Sequence, residues 1–434
     1  HSITQYTFNQ LFSFFADSYL DYSKQFGATH QFNSMLGFRI HSSSLQVDIG
    51  ETMNLPENDE YKTLSSGQSD LRRAIGNNAR WNWLAVYHRI NYKLRDTYIL
   101  NTGLSADFST RLGDDARTPI QLFDQPFGLF YSIGAGWRIS NENFLKNVNG
   151  LENLMARISY GVAGNDNIGN FNALSYYKLT RYRETSGLVP GSIPNNFLKY
   201  EKSGQINAGL DLSLWGYRTQ LILDYFIKTN EDIFIYEPQE SYTGYKNKPA
   251  NAGTVRNKGW ELSFFHRLFD GTRFKWDISS VISLLSNEVL DMKGGQIVTP
   301  FEGGSFITRK GDPINSFYGY QFEGVFASYE EAAAADLKNA KGVPYGAGDA
   351  IYKDFSGPDQ DPDGIINEYD KVFLGSPVPD YFGSVSNTFR YNRWSLLIQI
   401  QFVQGNEVFN YIRYLNESMR DLSNQSKNVL KRWQ

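Results

Sequence analysis

Apolar and polar residues alternate with a period of two along much of the chain, in segments of about ten residues. Successive side chains of a β-strand point to opposite faces, so each segment predicts a strand with one apolar face. Residues 206–214 and 220–227 form a predicted hairpin, joined by a turn at Trp215-Gly216-Tyr217. The same pattern occurs in 14–26 with 30–41 (turn at Gly27), 86–94 with 98–107 (turn at Arg95-Asp96), 260–264 with 274–280 (turn at Asp270-Gly271), and 394–402.

The predicted strands are longer than those of most soluble proteins. A soluble strand usually has about 5–6 residues, whereas a tilted strand needs about 9–11 residues to cross a membrane. Aromatic residues also stand near the predicted strand ends, as in the aromatic girdles of membrane barrels: Trp215, Tyr217, Trp260, Tyr391 and Trp394. The pattern therefore favours an all-β, antiparallel transmembrane barrel, with a large soluble propeller or sandwich as the alternative.

Long polar connections separate the predicted hairpins, near 165–205, 230–258 and 287–376. Outer-membrane barrels have short turns on the periplasmic side and long loops outside, so we expect these connections to be extracellular. One helix is predicted within the longest connection, over 329–340, with Ser328 as its N-cap.

Composition and charge are consistent with this interpretation. Aromatic residues make up 15% of the 434 residues, and flat rings pack well on a pleated sheet. The net charge of −4 gives no electrostatic reason to expect a nucleic-acid partner. The chain has no Cys, which excludes disulfides and thiolate metal sites. The mean hydropathy of −0.45 is compatible with a barrel, whose strands need only alternate apolar residues. No apolar run predicts a transmembrane helix, and the first residues do not resemble a signal peptide.

An acidic segment over residues 359–370 carries the clearest chemistry. Acidic residues stand at its first, third, fifth and twelfth positions, with glycine at the sixth, which is the spacing of an EF-hand-type loop. Close carboxylates repel each other unless a cation lies among them. We therefore predict a structural Ca²⁺ site whose ligands are Asp359, Asp361, Asp363, the carbonyl of Ile365, and Asp370. The alternative is a solvated acidic loop.

Catalytic motifs are absent from the sequence. The five histidines lie on different predicted strands, and no metalloprotease, nucleophile-elbow or P-loop pattern occurs. The glycine-rich segments 134–137 and 161–164 have no following helix pattern, so we interpret them as closely packed strand positions. The sequence thus predicts no enzyme activity.

Several segments, in this order, resemble blocks of the SusC-like (SusC/RagA family) TonB-dependent outer-membrane transporters. They are Ala135–Ser140, Arg157–Asn165, Asn207–Asp211, Leu223–Phe226, Asn257–Leu262, Phe317–Tyr320, Leu374–Pro377 and Gln404–Asn406. The acidic loop also stands where that family often carries an aspartate-rich loop. Ordered blocks over about 300 residues are far more specific than any single motif.

The resemblance implies a 22-stranded, plugged barrel that imports an oligosaccharide or peptide across the outer membrane. It also implies a SusD-like lipoprotein partner and energy from the TonB complex, and leaves open whether transporter–lipoprotein pairs dimerise. We find no plug, TonB box or N-terminal domain in the sequence, nor the family's last strands. Residues 1–434 are thus interpreted as an internal part of the barrel.

The transporter hypothesis assigns the two faces of each strand. Residues expected to line the lumen are Asn207, Asp211, Ser263, Asp277, Gln399 and Gln401. Residues expected to face lipid are Leu210, Leu212, Leu223, Trp260, Leu396 and Ile398. Tyr176, Tyr177 or Tyr182 on an external loop could stack on sugar rings. The rival hypothesis is a soluble or surface-attached β-rich protein that binds carbohydrate or mediates adhesion, in which Trp394, Ile398 and Ile400 would lie in a compact interior.

Overall fold

A computed structural model describes residues 3–54, 63–122, 124–182, 185–357, 361–420 and 422–433. The described residues are mostly β-structure, as predicted. The first strands are β1 (Ile3–Phe26), β2 (His30–Met53), β3 (Arg73–Leu94), β4 (Tyr98–Ser109), β5 (Ile120–Leu122), β6 (Gln125–Arg138), β7 (Leu151–Asn165), β8 (Tyr177–Tyr182), β9 (Thr185–Pro190), β10 (Glu201–Leu214), β11 (Thr219–Glu231), β12 (Phe234–Pro238) and β13 (Asn247–Asn251). The later strands are β14 (Thr254–Asp270), β15 (Phe274–Asp291), β16 (Gln296–Phe301), β17 (Gly304–Arg309), β18 (Ser316–Tyr320), β19 (Phe322–Val325), β20 (Lys338–Asn339), β21 (Ala350–Tyr352), β22 (Ile365–Ile366), β23 (Lys371–Gly375), β24 (Tyr381–Tyr391) and β25 (Trp394–Gln404). The α-helices are α1 (Tyr329–Ala335) and α2 (Tyr411–Glu417). Within the described part of the chain, no helix is long and apolar enough to cross a membrane.

The chain divides into two compact units. The first comprises His1–Tyr217 and Lys228–Gly253, and the second comprises Arg218–Ile227 and Thr254–Gln434. In the first unit the long strands follow the order β1-β2-β3-β4-β6-β7-β10, with β5 paired to β6. In the second unit the order is β14-β15-β24-β25.

Each predicted hairpin is present, with its turn where the sequence placed it. In the first unit, Phe26 pairs with His30 across the turn at 27–29, and Leu94 pairs with Tyr98 across the turn at 95–97. In the second unit, Asp270 pairs with Lys275 across the turn at 271–273. The strands extend further than the alternating segments, because ladder pairing continues where the alternation becomes irregular: β1 and β2 each have 24 residues.

Short and long connections lie at opposite ends of the strands. In the first unit the antiparallel order places 27–29, 95–97 and 139–150 at one end, and 54–72, 110–124 and 166–200 at the other. In the second unit 271–273 and 392–393 share one end, and the long connection 292–380 joins β15 to β24 at the other. This is the asymmetry that the sequence predicted for a membrane barrel.

The long connections contain more regular structure than the sequence indicated. A four-stranded sheet, β16-β17-β18-β23, lies within the longest one, and the hairpins β8–β9 and β12–β13 lie within the other two. The predicted helix begins with Ser328, whose hydroxyl accepts a hydrogen bond from the backbone N–H of Glu331. It ends at Ala335 instead of residue 340, because Asp336 adopts a left-handed conformation and β20 then pairs with β22.

Large apolar side chains of the strands are exposed rather than collected in a compact interior. Trp394 is 80% exposed, Ile398 46% and Ile400 62%, opposite to what the soluble alternative requires. A smaller buried cluster in the first unit packs the long-connection end instead: Leu112, Phe130, Ile168, Ala173, Leu198 and Tyr200. A sheet with an exposed apolar face and little core beneath it is what a lipid-facing wall requires.

Candidate functional site

Strand register separates the predicted lumen-facing and lipid-facing residues of the second unit onto two faces. Side chains directly opposite each other in an antiparallel ladder share a face. One row contains Ser279, Ser386 and Gln399, and a row on the opposite face contains Trp276, Phe389 and Leu396. By the same pairing, Ser263, Asp277 and Gln401 lie on the face of Gln399, whereas Trp260 and Ile398 lie on the face of Leu396. The ring of Tyr225 lies 4.7 Å from that of Trp260, which places Leu223 on the apolar face as well.

The first unit shows the same separation. Asp211 and Asn207 accept hydrogen bonds from the guanidinium of Arg157, on the polar face of β7 and β10. Leu210 and Leu212 point to the opposite face, where they lie opposite Ala156 and Leu154. Charged and polar side chains of the polar face therefore form hydrogen bonds between neighbouring strands. These bonds satisfy the charged groups, while the other face of the sheet is apolar.

Two ion-pair networks stiffen the polar face. In the second unit Asp277 is 6% exposed and accepts hydrogen bonds from Arg267 at 3.0 Å and Arg390 at 2.8 Å. In the first unit Asp17 accepts hydrogen bonds from Arg39 at 2.7 Å and from the Tyr87 hydroxyl at 2.9 Å. Such charge-assisted contacts between neighbouring strands fix the positions of side chains on the polar face.

A cavity of about 650 Å³ opens on the polar face of the first unit. The guanidinium of Arg39 lies 5.1 Å from the centre of the Tyr87 ring, and that of Arg89 lies 5.5 Å from it. Gly103 and Gly161 contribute no side chain, so the wall is recessed between its neighbours. The remaining polar lining consists of Ser105, Asp107, Ser132, Ser159, Ser203, Gln205 and Lys228. Hydroxyl, amide and cationic groups of this kind hydrogen-bond to a hydrated, polar ligand.

The acidic loop is organised by hydrogen bonds that backbone N–H groups donate to carboxylates. Asp370 is fully buried and accepts hydrogen bonds from the N–H groups of Phe355, Ser356 and Asn367. Asp363 accepts one from the N–H of Ile365, whose carbonyl in turn accepts one from the Asn367 amide. The carboxylates of Asp363 and Asp370, two of the predicted ligands, therefore cap backbone N–H groups of the loop.

The structure describes the remaining predicted ligands only in part. Asp361 is exposed, and its carbonyl oxygen accepts a hydrogen bond from the Gly357 N–H. Asp359 lies outside the described residues. Gly364, the glycine at the sixth position of the acidic spacing, has φ +74°, a left-handed conformation that glycine adopts readily. Among the described residues no group of three or more His, Asp or Glu side chains is arranged to hold a metal ion, so the Ca²⁺ site stays a prediction.

Asp354, which the motif does not include, lies beside these carboxylates. Its Oδ2 accepts a hydrogen bond from the Gly364 N–H at 2.7 Å, while its Oδ1 is buried without a hydrogen-bond partner in the structure. Burial raises the pKa of Asp354, and the neighbouring Asp370 carboxyl raises it further, against the lowering effect of the Gly364 N–H. Asp354 could not be predicted from the acidic spacing, because it precedes that spacing by five positions.

Tyrosines on the connection 166–200 show different degrees of exposure. Tyr177 is 68% exposed, and Tyr176 packs its ring 5.7 Å from that of Phe171. Tyr182 belongs to β8, and its side chain is outside the described ones. Their predicted contact with cargo stays a prediction.

Sequence reasoning missed Asp17 and Arg39, although a signal was available. Once the turn at Gly27 fixes Phe26 opposite His30, the hairpin register places these two charges directly opposite each other. The histidines carry no catalytic constellation: His30, His41, His88 and His266 each pair with a hydroxyl group.

Comparison with known proteins agrees with this architecture. The family described as "TonB dependent receptor-like, beta-barrel" matches residues 1–416. TonB-dependent receptor P39 of Formosa agariphila is 28% identical over 92% of the chain and 40% of that protein. TonB-dependent receptor SusC of Bacteroides thetaiotaomicron is 27% identical over 94% of the chain and 38% of that protein.

The chain thus spans about two fifths of the length of the curated relatives it matches. Among solved structures, the RagAB peptide transporter superposes with a TM-score of 0.82 at 21% identity, over 100% of the chain and 46% of that protein. That likeness shows a shared fold. The family match over nearly all of the sequence identifies the chain as an outer-membrane β-barrel domain of the TonB-dependent receptor family.

Proposed function

We propose that the chain forms part of the barrel of a transporter that imports an oligosaccharide or a peptide across the outer membrane, energised through TonB. The family match over residues 1–416 carries this proposal. The polar face of the sheet supports it, because paired charges and hydroxyl groups form a hydrated wall while the opposite face is apolar.

The cargo class is proposed from the chemistry of that wall. The cavity beside Tyr87 presents hydroxyl, amide and guanidinium groups, which hydrogen-bond to sugar hydroxyls and to peptide groups. One relative has the name SusC, and a protein of the same fold is a peptide transporter. Uptake should therefore be measured with both cargo types.

A SusD-like surface lipoprotein is the proposed partner. The long connections expose large apolar side chains that water alone would not favour, among them Tyr242 at 88% and Tyr329 at 73%. Each of these side chains is therefore accessible to a partner protein. The lipoprotein would cover the long-connection end, where cargo enters.

Uptake by cells that lack the endogenous gene tests the transport function. Cells expressing the full-length protein should accumulate a fluorescent oligosaccharide or peptide, and the accumulation should stop when TonB is removed. The protein should also co-purify with a lipoprotein in mild detergent. Equal uptake with and without the gene, for both cargo types, would exclude import as its function.

We also propose that the acidic loop binds Ca²⁺ as a structural ion. The acidic spacing of residues 359–370 supports this proposal, because carboxylates so close along the chain repel each other unless a cation lies among them. Calcium would supply hard positive charge to carboxylate oxygens there. Calorimetric titration of the full-length protein should give binding heat that D361A/D363A abolishes, whereas equal heat in both would exclude this loop.

A further inference from the structure

A groove lies on the apolar face of the first unit, near the end with the short turns. Its volume is about 480 Å³, within the range of small-ligand sites. The side chains that line it come from four neighbouring strands, β3, β4, β6 and β7. They are Tyr92, Leu94, Tyr98, Leu100, Ala135, Trp137, Ala156 and Ile158.

Strand register explains why the wall is recessed here. One row across the sheet places Ala135 between Leu100 and Ile158, and the next places Ala156 opposite Trp137. Directly opposite side chains share a face, so each alanine leaves a gap between two larger residues. The two gaps are adjacent on neighbouring rows and join into one groove.

Two aromatic walls of the groove are held in place from outside it. The hydroxyl of Tyr98 donates a hydrogen bond to Glu142 Oε1 at 2.6 Å, and the indole N–H of Trp137 donates to the same oxygen at 3.0 Å. Glu142 lies on the connection 139–150. Glu142 thus satisfies the polar tips of both rings, and aromatic rings with a polar tip are favoured where lipid meets water.

Cationic groups lie at this end of the groove. The guanidinium of Arg138 is compensated by Asp96, whereas that of Arg95 has no ion pair or hydrogen-bond partner among the described residues. The hydrogen bonds from Tyr98 and Trp137 are the largest effects that lower the pKa of the Glu142 carboxyl. The positive charges of Lys146 and Arg95 lower it further. The rim therefore offers positive charge beside an apolar groove.

We propose that this groove binds one phospholipid of the periplasmic leaflet, with an acyl chain against Ala135 and Ala156 and the phosphate near Arg95. The groove faces hydrocarbon because it shares the apolar face of the barrel wall. Its rim is at the short-turn end, which in outer-membrane barrels is the periplasmic side. Charge complementarity with Arg95 favours a phospholipid over the packing of a second copy of the chain.

Native mass spectrometry of the full-length protein, stripped of lipid to the same degree in detergent, tests this assignment. The unmodified protein should retain one phospholipid. Ala135→Phe fills the groove and should reduce retention about tenfold, which corresponds to 1.4 kcal/mol of binding free energy. Ala106→Phe is the matched control, because Ala106 lies on the same face of β4 outside the groove and should retain lipid normally.

Two further measurements keep the test decisive. Ala135→Leu fills less of the groove than Ala135→Phe. The heat-modifiable migration of each variant on gels reports whether its barrel folds. Arg95→Gln should keep the lipid but remove a preference for phosphatidylglycerol over phosphatidylethanolamine. Equal retention by the folded Ala135 variants and the Ala106 control would overturn the proposal, as would a loss of dimers in the Ala135 variants with lipid unchanged.

Discussion

Asp277 and Arg390 are joined by an ion pair of 2.8 Å across β15 and β24, although 113 residues separate them along the chain. Asp277 also binds Arg267, so one buried carboxylate connects three strands on the polar face. A long-range pair of this kind reports directly on whether the ladder order of the second unit is correct.

Replacing Asp277 with Ala should destabilise the barrel. Two guanidinium groups would lose the acceptor that satisfies them, at a cost of about 1–3 kcal/mol in the free energy of unfolding. Asp270→Ala is the control, because Asp270 is 34% exposed and its loss should cost less. Urea unfolding of the purified protein in detergent measures both, and equal losses would contradict the buried network.

A charge on the apolar face of β25 should impair membrane insertion far more than the same charge on the polar face. Arg in place of Leu396 or Ile398 would meet hydrocarbon, at about 2–4 kcal/mol near the bilayer centre. Arg in place of Gln399 would meet water in the lumen and should be tolerated. The amount of folded protein in isolated outer membranes measures this, and similar amounts for both faces would refute the assignment.

Gly364→Ala should loosen the acidic loop. Gly364 has φ +74°, a conformation that costs an L-residue about 1 kcal/mol, whereas Gly346 has an ordinary φ and room for a methyl group. Gly346→Ala is therefore the control. Limited proteolysis within 354–370 should accelerate only for the Gly364 variant, and no acceleration would argue against the turn.

The acidic loop should become less stable as pH rises, in the absence of calcium. Burial raises the pKa of Asp354 above 3.8, so the folded loop binds more protons than the unfolded loop. That contribution is fully present below about pH 3.8 and is lost as pH rises through the raised pKa. In chelator, proteolysis of the loop should quicken over that window, and Asp354→Asn should remove the dependence. A rate that falls with pH would contradict the burial of Asp354.

The sequence was most informative where structure is local. Alternation and turn chemistry placed the hairpins around Gly27, Trp215 and Asp270, because a short turn fixes the register of the strands beside it. The family match also confirms that the chain is not an enzyme, as the lack of catalytic motifs indicated. The two faces of β25 followed from the same alternation.

The structure of the long connections was harder to predict from the sequence. In the sheet β16-β17-β18-β23, β18 pairs with β23 although the two strands are far apart in the chain. The rings of Phe306 and Phe317 lie 5.2 Å apart, and no alternating pattern predicts this contact. Spacing alone also could not distinguish a metal ligand from a backbone cap at Asp370. Only the fold shows that its oxygens accept three backbone N–H groups.

Site-directed labelling along β25 tests the barrel geometry most directly, because residues 1–434 contain no Cys that would react beside the introduced thiol. Single cysteines at 396–401 would be reacted in intact outer membranes with a water-soluble, membrane-impermeant maleimide. Residues 399 and 401 should react, while 396, 398 and 400 should stay unlabelled in lipid. Labelling that does not alternate with a period of two would contradict a wall with hydrocarbon on one side and water on the other.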